Sequence, residues 1–228
     1  MDGRRTDFDL ALPAAPVRVS VDLGFDLFRT LAEGESPVTL SRVFGADRGL
    51  ILTPAAASGP LAEGYRHLAK DWAAGHPGWE VRDDQDLNRL PQDGPLWLLG
   101  WENCHLAAFA AGDGVPFRLD AATRTLELQG QTVPTEAPSP VLTRTLGGQP
   151  VAWMAAADSA ALPGLGRKLP HYGKYSYLVF SGPAPQIQIK GQWPAGDSEL
   201  TLRLAPAADP SPTPAGPPRR PPLTDLAR

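Results

Sequence analysis

Polar and apolar positions alternate over residues 7–12, DFDLAL, and again over 17–23, VRVSVDL, after the turn-forming PAAP. A period of two sends successive side chains to opposite faces, so the two pieces predict a short β-hairpin. A lone hairpin is marginal in water and has to lean on another surface. The texture changes at Gly24, where short helical turns broken at Gly34 and Pro37 read as a connector over residues 25–47. Beyond it, apolar runs and helical spacing take turns. GLILT (49–53) is a continuous apolar run, the mark of a strand covered on both faces. Leu61, Tyr65, Leu68 and Trp72 then fall at helical spacing before Gly75 and Pro77 stop the helix.

The same alternation continues through GWEVRDD, a brief helix in QDLNRLP, the most apolar strand PLWLLGW (95–101) and a helix in NCHLAAFAAG. FRLDAATRTLELQGQTVP predicts a hairpin turning near Asp120–Thr123, and PVLTRTL and PVAWMAA two further strands. A weak helix over Asp158–Leu169, strands at 175–180 and 186–193, and an alternating ELTLRL complete the pattern. Strand and helix in this order predict an α/β fold. The expectation is a three-layer domain over residues 48–205, its mainly parallel sheet carrying antiparallel edge strands, preceded by the hairpin in residues 1–24. Residues 206–228 are rich in proline and poor in apolar side chains, which predicts an extended tail.

Composition narrows the classes of function. The chain has 228 residues, 42% hydrophobic and 20% charged, with a net charge of −4. Phosphate neutralisation needs clustered cations, so nucleic acid is not an expected partner. No stretch reaches the roughly eighteen apolar residues of a membrane span. The N-terminus lacks the apolar core of an export signal, and the compartment is left open. With a single cysteine, Cys104, an internal disulfide or a multi-cysteine metal site is excluded.

Candidate chemistry gathers in a few places. Gly164, Gly166, Arg167 and Lys168 offer a glycine-basic segment, but neither the dinucleotide pattern nor the P-loop pattern is present. Cys104 follows the third strand with His105 beside it, where a nucleophile elbow would lie, yet Glu102 and Leu106 occupy the positions that an elbow needs as glycine. Asp83, Asp84 and Asp86 could face a hard cation, and a solvated loop is the ordinary fate of such a run. No two histidines lie at metal-binding spacing, so no metal and no cofactor are expected.

The densest segment is RKLPHYGKYSYLVF (167–180). Its cations and His171 complement the end of the weak helix, Gly173 caps that helix, and alternation then leads into an interior strand. A small-molecule or nucleotide-binding site, or a thiol hydrolase, would use Cys104, His105, Gly164, Gly166, Arg167, Lys168 and His171.

The strings VDLGFDLFRTL, SRVFGADRGLILTP, LPGLGRKLPHYGKYSYLVFSG and KGQWPAGDSEL together resemble the C-terminal portion of bacterial aminopeptidase N-like metallopeptidases, zinc enzymes of the gluzincin class. The likeness spans most of residues 17–204. In that family the zinc motif H-E-x-x-H lies in an upstream catalytic domain, and nothing here matches it, so no catalytic residue carries over. The resemblance implies a non-catalytic accessory or interaction domain, with the opening hairpin as the last piece of an upstream β-sandwich. It also implies a peptidase catalytic region as partner, held through that hairpin, whose strand edges invite pairing.

Overall fold

The computed structural model describes residues 7, 9–11, 16–22, 26–32, 34–112, 114–133, 138–196 and 198–204, and the expected tail at 206–228 lies outside them. The chain divides into two compact units, a body of residues 37–194 and a terminal unit drawn from residues 1–36 and 195–228.

The body is built on one seven-stranded sheet. Its strands are β2 (Arg48–Thr53), β3 (Gly78–Asp83), β4 (Leu96–Leu99), β8 (Pro138–Leu146), β9 (Gln149–Met154), β10 (Tyr177–Ser181) and β11 (Gln186–Gly191), in the order β11-β10-β8-β9-β4-β2-β3. A three-stranded antiparallel sheet of β5 (Phe117–Asp120), β6 (Thr125–Leu128) and β7 (Gln131–Thr132) accompanies it. The helices are α1 (Leu40–Phe44), α2 (Gly59–Ala74), α3 (Leu106–Ala110) and α4 (Leu162–Lys168).

The pleat divides the core in two. Ile51, Trp97, Leu99, Ala152, Met154, Leu178 and Phe180 face α1, α2 and α4. Their neighbours Leu52, Leu96, Leu98, Val151, Trp153 and Val179 face α3 and the small sheet. On the helical side the rings of Phe44, Trp72 and Trp97 meet at centroid distances of 4.7–5.1 Å. Two glycines set how closely α2 and α4 approach. A Cβ on Gly64 would come within 2.5 Å of Leu162 Cδ1, and one on Gly166 within 2.6 Å of Leu68 Cδ1.

This architecture corrects the expected one. The body is not a three-layer α/β domain with a mainly parallel sheet: β2-β3, β2-β4 and β4-β9 pair parallel, whereas β8-β9, β8-β10 and β10-β11 pair antiparallel. Helices cover one face, and the other carries the small antiparallel sheet and the five-residue α3. The strand-helix rhythm weakens after α3: hairpins join β5-β6-β7, β8-β9 and β10-β11, while α4 carries the chain from β9 to β10. Gly147 and Gly148, both at positive φ (62° and 83°), form the two-residue β8-β9 turn, whose mirror-image geometry follows the twist of the strands. Asp84–Asp86 forms a single 3-10 turn where a brief helix was expected.

The opening hairpin is corrected as well. In the terminal unit β1 (Arg18–Ser20) pairs antiparallel with β12 (Thr201–Arg203), and residues 9–11 form no strand. The alternating ELTLRL therefore contributes to this ribbon and not to the large sheet. Beside the ribbon, Arg29 grips Glu35 through both oxygens at 2.7 and 3.1 Å and reaches Asp22 at 3.0 Å, while the Ala32 amide and the Ser198 hydroxyl also donate to Glu35. These donors hold the Glu35 carboxyl at about 2, the Arg29 guanidinium contributing most. No helix among the described residues is long and apolar enough to cross a membrane.

Candidate functional site

Open sheets with parallel strands place ligands beyond the strands' C-terminal ends, where successive connections leave on opposite faces. In this body that place lies between β2 and β4, since the connection after β2 runs to α2 on one face and the connection after β4 to α3 on the other. Protein groups fill it. Asn103 donates from Nδ2 to the Leu52 and Leu99 carbonyls at 3.1 and 3.3 Å and accepts the His105 amide at 3.1 Å. Gly100, at φ +85°, lies so close to Pro54 that an added Cβ would stand 2.8 Å from Pro54 Cγ.

Asp84 ties the surrounding loops together. Fully buried, its carboxylate accepts the amides of Ala55 at 2.9 Å and Cys104 at 2.6 Å. Its carbonyl oxygen lies 3.0 Å from His105 Nε2, which must carry the proton because a carbonyl only accepts. The Cys104 thiol donates to the same carbonyl at 3.5 Å. Burial, and then the charge and hydrogen bonding of Asp84, push this thiol above its ordinary range. A raised thiol is a poor nucleophile at neutral pH, since the thiolate is the reactive form. Burial likewise raises the Tyr65 phenol, whose oxygen accepts the Ala156 amide at 2.8 Å.

The glycine-basic segment forms part of α4 and its exit. Gly164 makes room for Pro185, whose Cδ would lie 2.5 Å from an added Cβ, and Lys168 Nζ donates to the Pro185 carbonyl. The Gly166 carbonyl accepts Trp72 Nε1 at 3.2 Å. Arg167 and His171 are exposed, the latter in the 3-10 turn Leu169–Tyr172. No hydrogen bond or ion pair among the described residues joins this segment to Cys104 or His105. Nor do any three His, Cys, Asp or Glu among the described residues group so as to hold a metal.

Residues 174–180 are an entry to an interior strand. Tyr175 precedes β10 and packs with the helical side of the core beneath Lys174 and Lys190, whereas Tyr177 packs on the opposite side with its ring 4.4 Å from that of Trp193. Gly173 ends the 3-10 turn at φ −49°, without a left-handed cap, and its carbonyl accepts the Ser41 amide at 2.8 Å.

Two surfaces escaped the local reading. The first is a groove of about 820 Å³ between α2 and α4, with Glu63, His67 and Asp71 on one wall and Arg167 on the other. The spacing 63, 67, 71 was visible as one helical face, but the opposing helix was not. The second is the β1-β12 ribbon. Val19 opposes Leu202, and the flanking bonds from the Val21 amide to the Leu200 carbonyl and from the Leu204 amide to the Val17 carbonyl extend the register. All six side chains therefore share one face, and they are 37–67% exposed. The large exposed hydrophobic residues among those described all belong to the terminal unit, Leu27, Phe28 and Leu31 included.

Searched against protein-family models and curated proteins, the chain matches none.

Proposed function

We propose that this chain is a non-catalytic interaction module that docks through the apolar face of the β1-β12 ribbon. The observation that carries the reading is the concentration of exposed aliphatic side chains on that face, while the large apolar side chains of the body are packed into its two cores. An uncovered two-stranded ribbon is marginal alone, and a contiguous exposed apolar patch marks an interaction site. At the strand ends of the body, Asp84, Asn103 and His105 are engaged with backbone groups, which supports a scaffolding role for them.

The partner in this proposal is the catalytic region of a bacterial aminopeptidase N-like metallopeptidase, ending in its β-sandwich. The strings quoted above supply that assignment, and an apolar sheet face is the natural cover for an apolar ribbon. The test is co-elution of the full chain with such a region in size-exclusion chromatography, beside the double variant Val19→Lys/Leu202→Lys. Co-elution of the wild type and its loss in the variant support the proposal. A wild type that elutes alone, or a variant that still co-elutes, overturns it.

A further inference from the structure

The groove between α2 and α4 lies wholly in the body and owes nothing to the ribbon. Its floor is apolar, made by Leu68, Trp72, Leu162 and Pro163. Its rim carries charge of both signs. Contacts between the helices fix the order of those charges: Gly64 meets Leu162, and one turn further on Leu68 meets Gly166, so the two helices advance together. Glu63 therefore stands at the end marked by Ser159 and Leu162, and Arg167 at the end marked by Asp71 and Trp72, with His67 between them. No hydrogen bond or ion pair among the described residues occupies Glu63, His67, Asp71 or Arg167.

We propose that this groove binds a short peptide with free termini, its ammonium at Glu63, its carboxylate at Arg167 and an apolar side chain on the Leu68–Leu162 floor. From the level of Leu162 to that of Arg167 is five residues, roughly 7.5 Å along a helix axis. An extended peptide advances about 3.3–3.6 Å per residue, so this span fits a dipeptide. A carboxylate takes an ammonium as a charge-assisted donor, and a guanidinium takes a carboxylate in its planar fork, so of the three rim charges Glu63 and Arg167 set the direction of the ligand, with Asp71 across the groove near Arg167. The volume lies within the ordinary range of small-ligand sites, roughly 300–1,000 Å³. His67 lines the groove between the two ends.

The experiment titrates leucyl-leucine into the full-length protein by calorimetry, beside N-acetyl-leucyl-leucine and leucyl-leucinamide. Glu63→Gln and Arg167→Gln are made in parallel, both on exposed positions. The free dipeptide binds saturably, and each variant or each blocked terminus weakens it by about tenfold, the loss that follows from removing one charged hydrogen-bond partner. The N-acetylated peptide is indifferent to Glu63→Gln and the amide to Arg167→Gln, a crossed pattern that a general change in folding cannot produce. Absence of saturable binding overturns the proposal. So does binding that ignores both variants, or blocked peptides that bind as well as the free one.

Discussion

At the scale of the residue, the polar groups that looked most reactive act on the backbone. Asp84 is one of an acidic run that spacing alone allowed to face a cation, yet its carboxylate accepts two amides from loops 29 and 20 residues away. Replacing it with alanine should leave both donors unpaired at a cost of roughly 1–3 kcal/mol each, read as a fall in the denaturation midpoint followed by tryptophan fluorescence. Cys104 should react with a thiol reagent more slowly than a free cysteine at neutral pH, and Asp84→Asn, which removes the neighbouring charge, should speed it; a wild-type rate above that of free cysteine contradicts the assignment. The glycines of the basic segment carry a different prediction. Gly166→Ala forces a methyl group against Leu68 and should destabilise the body by about 1–3 kcal/mol in thermal unfolding.

At the scale of the element, local pattern was most faithful where one strand or helix buries its own apolar residues. β2, α2, β4 and the β5-β6 hairpin lie close to where their periodicity put them. It failed where a strand's partner lies far along the chain: residues 17–23 alternate, and nothing local indicates that their partner begins at Thr201. The terminal unit also carries the chain's clearest pH dependence. Glu35 has a folded value of about 2 against an ordinary 4.5, and the Asp22 carboxyl is lowered too, chiefly by the Leu27 amide. A depressed carboxyl stabilises the fold above its ordinary value and loses that contribution as pH falls through the folded one. Amide protection of Ala32 should thus decline between about pH 4.5 and 2, measured by hydrogen exchange corrected for intrinsic rates.

At the scale of the whole molecule, the proposed docking rests on the exposed apolar face of the β1-β12 ribbon. The ribbon variant Val19→Lys/Leu202→Lys should also bind less of a dye that reports apolar surface, with tryptophan-monitored melting of the body unchanged, because the six tryptophans all lie in residues 37–194. By itself the sequence determined most strands and the long helix α2 of the body, with their apolar faces, since these follow from steric preference and side-chain spacing along a few residues; it misplaced a strand at residues 7–12 and a brief helix near Asp84. Only the tertiary structure decided that half the pairings in the large sheet are antiparallel, that β1 meets β12, and that Glu63 and Arg167 look across one groove. Those outcomes depend on which distant apolar faces bury one another most completely, and burial between distant segments leaves no period in the chain.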